Sequence, residues 1–237
     1  MNISRYYWKV LHWLGYYDRR RKSWVEDADR QAKIDQQVVE CEVDRKLSVH
    51  YGKEDARKEE AALMPYINID GQSRVLDLGC GDGRWGKILA GRCGVYIGVD
   101  LSGKLLEKAR QKVPEANATF VHMPAQQYCV DESFDLIMVI GLLTYLNDED
   151  IVTLSENCRK MLAKGGRLIV RNVSLGENPC CRRVYNWRPN FVLRMLGEPG
   201  YQLIRRNREE ELSFFKNFRL VDDQPIPGTG YRFYIFE

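Results

Sequence analysis

No stretch of this 237-residue chain is apolar over the roughly 18 residues that a helix needs to cross a membrane; the longest run, Leu136 to Leu143, is bounded by Asp135 and Asn147. The N-terminus lacks the uninterrupted apolar core of a signal peptide, because aromatic and charged residues interleave there, so secretion is not expected. The seven cysteines (Cys41, Cys80, Cys93, Cys129, Cys158, Cys180 and Cys181) are odd in number and have no CxxC spacing. That pattern excludes a disulfide framework and a thiolate zinc site as readings, and suits a reducing, cytoplasmic setting. Histidine is scarce, at three residues, and no internal repeat or low-complexity tract is present. Charge of one sign is also lacking: 36 basic against 33 acidic residues leave a net charge of +3, too balanced to point to a nucleic-acid partner by composition.

What is present is unevenly distributed. Residues 1–24 hold three of the five tryptophans (Trp8, Trp13, Trp24) with Tyr6, Tyr7, Tyr16, Tyr17 and the basic run Arg19 to Lys22. Residues 25–62 are charge-dense and helix-favouring, which predicts polar helices ending near Pro65, so residues 1–70 read as an N-terminal helical extension. From residue 71 onward, strands and helices alternate. Strands are expected at Arg74–Leu78, Val95–Val99, Thr119–His122, Phe134–Ile140 and Arg167–Val170, and helices at Arg84–Ala90, Ser102–Lys112 and Asp148–Leu162. Two further strand-like runs, Phe218–Val221 and Tyr231–Phe236, flank Pro225, Pro227, Gly228 and Gly230 and predict a closing antiparallel hairpin. The expected fold is α/β: a Rossmann-like doubly wound sheet, mostly parallel, with a C-terminal antiparallel hairpin and the helical extension in front.

The chemistry concentrates where the first strand opens into Gly79, Cys80, Gly81, Asp82 and Gly83. Only glycine combines positive φ with no Cβ, so backbone in such a turn passes close to a ligand. Asp100 ends the second strand and, in a parallel sheet, faces the same crevice, where its carboxylate suits two ribose hydroxyls. Gly81, Gly83 and Gly86 also satisfy the GxGxxG spacing of a dinucleotide fold. That pattern is weak alone, and Asp77 at the strand's end would repel a pyrophosphate while welcoming a cationic amino group.

The run Asp77-Leu-Gly-Cys-Gly-Asp-Gly83 resembles the first motif of class I S-adenosylmethionine-dependent methyltransferases. Asp100 matches that family's ribose-binding acid, and residues 132–136 and 162–166 resemble the approaches to its fourth and fifth strands. The resemblance covers roughly residues 75–170 and the closing hairpin. It implies S-adenosylmethionine as cofactor, with Asp77 and the backbone of Gly79, Cys80, Gly81 and Gly83 at the methionine end, Asp100 on the ribose, and Leu101 and Ile140 against the adenine. Family members often carry an aspartate after strand three for the adenine amino group. Here the segment reads Met123-Pro-Ala-Gln126, and Gln126 is the substitute, since its side-chain oxygen can accept from an amine.

The segment after strand four, Ile140 to Asn147, lacks both the Asn/Asp-Pro-Pro-aromatic element of nucleic-acid amino-methylating enzymes and the paired glutamates of protein arginine methyltransferases. A small-molecule acceptor is therefore expected, methylated on oxygen or nitrogen, with no metal ligand set and no nucleic-acid partner. Tyr145 is the catalytic candidate, as an orienting phenol rather than a base, with a plain pocket-wall aromatic as the alternative; no general base is identified. The resemblance places a substrate lid near residues 172–215, which are arginine-rich, and arginine's bidentate fork fits an anionic or carbohydrate-like acceptor. The competing reading of Arg205, Arg206 and Arg208, which precede Glu209 to Glu211, is a helix surface with weak ion pairs. Residues 1–24 fit either a helix docked on the domain, the preferred reading, or a membrane-surface contact. Two other functions stay open: a non-catalytic cofactor-binding scaffold of the same fold, and an NAD-dependent oxidoreductase. The sequence is silent on oligomeric state.

Overall fold

The run Val75-Leu-Asp-Leu78 is apolar at three of four positions, and β1 (Arg74–Leu78) buries all four. β4 (Phe134–Ile140) is likewise a near-continuous apolar run, as expected of strands covered on both faces. The structure, a computed structural model, describes residues 53–173, 183–186 and 202–237, with residues 183–186 and 202–205 known by backbone alone. Helix α1 (Lys53–Leu63) comes first, and the remaining strands are β2 (Val95–Asp100), β3 (Ala118–His122), β5 (Leu162–Val173), β6 (Arg183–Asn186), β7 (Gln202–Arg205), β8 (Leu220–Pro225) and β9 (Tyr231–Phe236). Helices α2 (Arg84–Leu89), α3 (Gly103–Lys112) and α4 (Asp148–Met161) follow β1, β2 and β4, and α5 (Arg208–Phe214) follows β7.

Seven strands form one sheet in the order β3-β2-β1-β4-β5-β9-β8, and β6 pairs with β7 apart from it. β1 to β5 pair in parallel, whereas β9 inserts antiparallel between β5 and β8. This is the expected doubly wound sheet with its closing hairpin. The strand order reverses between β1 and β4, which opens a crevice beyond their carboxyl ends. One apolar cluster fills each face of the sheet. Leu76, Ile137, Leu143, Leu154 and Tyr234 belong to one; Leu63, Trp85, Leu136, Ile169 and Phe233 belong to the other.

Local chemistry fixes the helix starts. Ser102 caps α3 by accepting from Leu105 N at 3.3 Å, Asn147 caps α4 by accepting from Asp150 N at 2.8 Å, and Asn207 with Glu210 forms a capping box on α5. The α4 cap is thus the asparagine just before the acidic first turn of Asp148, Glu149 and Asp150. β5 is longer than the expected Arg167–Val170, because Leu162 already pairs with Phe134 and a register shift follows. The hairpin's first strand lies later than expected, at Leu220–Pro225, since its pairing partner Tyr231–Phe236 sets the register. Leu63 at the end of α1 is fully buried and Ile67 nearly so, so the chain joins the core before β1 begins. Residues 1–24, and most of the expected lid, lie outside the described residues. Among the described residues no helix is long and apolar enough to cross a membrane.

Candidate active site

Gly79, Gly81 and Gly83 adopt φ values of 80°, 55° and 78°, left-handed conformations that other residues adopt only at a cost. Gly79 N and Cys80 N donate to Val99 O at 2.8 and 3.1 Å, which folds the turn onto the end of β2. At Gly83 a Cβ would meet Ala109 at 3.0 Å, so this glycine lets α3 pack against the turn. Gly86 has a different task. A Cβ there would meet the Tyr96 ring at 3.0 Å, and the Tyr96 hydroxyl donates to Asp77 Oδ2 at 2.7 Å. The third glycine of the GxGxxG spacing therefore makes room for a phenol that fixes Asp77.

An open cavity of about 310 Å³ lies on this turn, lined by Asp77, Gly79, Cys80, Asp82, Arg84, Trp85, Ile140 and Arg171. Asp77 is almost fully buried, and burial pushes its carboxyl up to about 6, opposed by the Tyr96 hydrogen bond and the Arg84 cation. Burial also pushes the Cys80 thiol far up, which removes any thiolate chemistry there. Asp82 pairs with Lys112 of α3 on the solvent side.

The cavity's two arginines converge on a glutamate that the sequence did not single out. Glu59 of α1 is fully buried; it accepts from Arg84 and, at 3.2 Å, from Trp85 Nε1, and it forms an ion pair with Arg171 of β5. Arg171 stacks over the Tyr231 ring with its guanidinium carbon 4.4 Å from the centroid. A Cβ at Gly141 would stand 3.0 Å from Arg171 Nη1, so the glycine after β4 lets the guanidinium approach that turn.

Asp100 lies beyond the cavity lining and is tied to the turn. Its Oδ2 accepts from Gly81 N and its Oδ1 from Ser102 N, both at 2.8 Å. Burial raises its carboxyl against those two N–H donors. A carboxylate offers about four lone-pair sites, more than these backbone donors occupy. Leu101 is half-buried beside it, with its carbonyl 2.8 Å from His122 Nε2. Gln126 is buried in the turn Ala125–Gln127, and its carbonyl accepts from Asn157 Nδ2 at 3.0 Å.

Among the expected residues, Asp77, Gly79, Cys80 and Ile140 line the cavity. Gly81 and Gly83 shape the turn and Asp100 is fastened to it, whereas Leu101 and Gln126 stand along the ends of β2 and β3. A family model described as a methyltransferase domain matches residues 75–166. Residues 75–166 thus carry a methyltransferase domain. Across 176 residues it is 26% identical to the demethylmenaquinone methyltransferase of Staphylococcus epidermidis, covering 71% of this chain and 70% of that protein. Over 104 residues it is 36% identical to the trans-aconitate 2-methyltransferase of an Enterobacter species, covering 43% and 40%. Its fold matches that of the N-methyltransferase NodS of Bradyrhizobium japonicum WM9, solved with S-adenosyl-L-homocysteine, with a TM-score of 0.55 at 20% identity, over 78% of this chain and 85% of that one.

Tyr145 ends the short turn Leu143–Tyr145 after β4 and is 44% exposed. What holds this turn overturns one expectation. Arg206 does not lie on a helix surface making weak ion pairs: it precedes α5 and is fully buried. It donates to Leu143 O and Leu146 O at 2.8 Å each, on either side of Tyr145, and to Asp148 Oδ1 at 2.8 and 3.1 Å. The reason is local, since this single 3-10 turn gives Leu143 O only a 3.3 Å bond from Leu146 N, and a guanidinium can donate to several carbonyls at once. Arg208, the first residue of α5, pairs with Asp223 of β8. Among the described residues no cluster of three or more His, Cys, Asp or Glu has the arrangement of a metal site.

Proposed function

We propose that this chain is an active S-adenosylmethionine-dependent methyltransferase that delivers the methyl group to an oxygen or nitrogen of a small-molecule acceptor. The observation that carries the reading is the charge pattern of the cavity on the glycine turn. A buried carboxylate, Asp77, lines the same cavity as two guanidinium groups, Arg84 and Arg171. This arrangement complements a zwitterionic amino-acid end and would repel a pyrophosphate from the Asp77 side. Asp77, with one oxygen steadied by Tyr96, receives the ammonium; the arginines face the carboxylate. Asp100 takes the ribose hydroxyls, and Leu101, Gln126 and Ile140 border the adenine.

The cofactor, when bound, supplies an already activated methyl group. The chain's contribution is then alignment of the acceptor rather than strong base catalysis. We assign the orienting of a nucleophile to Tyr145, which is exposed on the turn after β4 and flanked by the carbonyls to which Arg206 donates. The names of two relatives, demethylmenaquinone methyltransferase and trans-aconitate 2-methyltransferase, support a small molecule as acceptor, and the second supports an anionic one. Arg206 and Arg208 are engaged within the fold, so an anionic acceptor rests on the lid's other arginines. Residues 1–24 are proposed to dock on the domain, and the lid to lie near 172–215.

Isothermal calorimetry with S-adenosylmethionine, S-adenosylhomocysteine and NAD tests the reading. Both sulfur ligands should bind, and Asp100→Ala should weaken each about tenfold through loss of charge-assisted ribose contacts. Binding of NAD without response to either sulfur ligand would overturn it.

A further inference from the structure

The cavity holds its charges in near balance, and the balance depends on a residue outside the matched domain. Asp82 is neutralised by Lys112 at the solvent edge. That leaves Asp77, Arg84 and Arg171 in the lining, with Glu59 behind the two arginines. With Glu59 this set has two negative and two positive charges; without it the cavity carries an uncompensated cation. The charge at stake is well insulated from water, since the Glu59 side chain is fully buried and that of Arg171 is 6% exposed. Interactions among such groups are screened far less than surface pairs. The Arg171 guanidinium also closes on Gly141, the residue that follows Ile140 in the cavity lining.

We propose that Glu59 of α1 sets the charge selectivity of the cofactor pocket: by neutralising Arg84 and Arg171 it lets a cationic sulfonium enter, and so determines how strongly the methyl-donor form is held relative to the neutral thioether left after transfer. This rests on the cofactor reading above. Asp77 and the arginines address the amino-acid end, which both forms share, so those contacts do not discriminate. The two forms differ by one positive charge at sulfur. A pocket with one more positive charge disfavours the sulfonium and leaves the thioether little affected. Glu59 is thus a specificity-determining residue that acts through Arg171, and α1 is part of the site although it precedes the glycine turn.

The test is the ratio of dissociation constants for S-adenosylhomocysteine and S-adenosylmethionine, measured by calorimetry on the full chain. The expected result is that Glu59→Gln shifts the ratio toward the thioether by about three- to tenfold, while Glu59→Asp retains most of the wild-type ratio. Arg171→Gln, which removes a cation instead, should shift the ratio in the opposite direction. Local structural damage would weaken both ligands in proportion and leave the ratio unmoved; that outcome, in either Glu59→Gln or Arg171→Gln, overturns the proposal. If Glu59→Gln does not fold, the direction of the Arg171→Gln shift decides. A wild-type protein that binds neither ligand would count against the cofactor reading itself, a result distinct from an unmoved ratio.

Discussion

Arg171 and Asn172 are neighbours on β5, and successive strand residues point to opposite faces of a sheet. Each meets a buried glutamate, and the two glutamates live in different electrical surroundings. Glu59 faces two guanidinium groups on the cavity side. Glu211 of α5 faces neutral donors on the other side: the Tyr234 hydroxyl donates to it at 2.6 Å and the Asn172 amide donates to its second oxygen. Burial pushes the Glu211 carboxyl up to about 7, against the pull of those two hydrogen bonds and of Arg206. Among the described residues Asn172 Oδ1 has no hydrogen-bond partner, so a proton on Glu211 would also have somewhere to point if that amide turned. The contrast separates two uses of a buried acid. One belongs to a charge-compensated, ligand-facing cluster; the other fastens α5 beneath the end of β5, at a carboxyl poised to be neutral.

Breaking the first cluster should have the largest effect. Glu59→Ala leaves two guanidiniums around an empty position, and removing one partner of a buried ion pair costs about 3 to 5 kcal/mol, so the denaturation midpoint should fall steeply. A loss below about 1 kcal/mol would mean that the arginines find solvent or new partners, and that the cluster is not held by charge. The second cluster should respond with the opposite sign. Because the folded carboxyl of Glu211 titrates near 7 rather than the ordinary 4.5, its ionisation opposes folding. The stability it permits is fully present below about 4.5 and is lost as pH rises through 7, by about 3 kcal/mol. Glu211→Gln should therefore match the wild type at pH 4.5 and exceed it by up to about that amount at pH 8, with cofactor affinity unchanged. Chemical denaturation across this pH range measures the divergence; parallel curves would show that Glu211 is ionised throughout.

What could be read from the sequence follows the same division. The glycine turn, Asp77, Asp100 and the apolar strands are contiguous signals, because backbone conformation and parallel pairing are written within a few residues of the atoms they place. The Glu59 cluster joins residues 25 and 112 positions apart, and α1 reads as a uniformly polar helix, KEDARKEEAAL. The available signal was its face: Glu59 lies one turn from Leu63, the fully buried residue at the helix end. Arg206 was hidden similarly, since it sits in an arginine-rich run and only the distant carbonyls of Leu143 and Leu146 reveal that it is buried. Long-range satisfaction of backbone carbonyls leaves no periodicity to detect.

Asp77 sharpens the comparison from the ligand's side. Its carboxyl is raised to about 6, so at neutral pH it is held ionised in a buried place at a cost to the fold, a cost that Glu211 meets only as pH rises through about 7. Asp77→Asn keeps an acceptor for Tyr96 and removes the charge, so the ligand-free protein should gain about 1 to 3 kcal/mol at pH 8 and nothing near pH 4. Cofactor affinity should fall tenfold or more with the lost ammonium partner. In the unaltered protein, affinity should rise with pH through about 6 as Asp77 ionises. Stability and binding moving in opposite directions would mark a ligand-facing acid; with Glu211→Gln only stability should move. A gain in both at Asp77→Asn would remove Asp77 from the binding site.

The smallest effect is expected where charge alone would forecast a large one. Asp148 forms the ion pair with fully buried Arg206, yet its own side chain is 45% exposed, so solvent screens its share of the interaction. Arg206 also donates to Leu143 O and Leu146 O, both at 2.8 Å, and the first of these otherwise has only the 3.3 Å bond from Leu146 N. Asp148→Asn retains an oxygen for the guanidinium and keeps the two carbonyl bonds. It loses part of a screened ion pair and a favourable negative charge in the first turn of α4, together about 1 kcal/mol or less. Arg206→Met instead takes the buried donor from Leu146 O and leaves Leu143 O only the 3.3 Å bond from Leu146 N, and at about 1 to 3 kcal/mol for an unsatisfied group it should cost up to several times more. Equilibrium denaturation of the two variants decides the matter. If Asp148→Asn costs as much as Arg206→Met, the ion pair rather than the carbonyl clamp holds the Tyr145 turn, and the turn's geometry would be set by charge as the Glu59 cluster is.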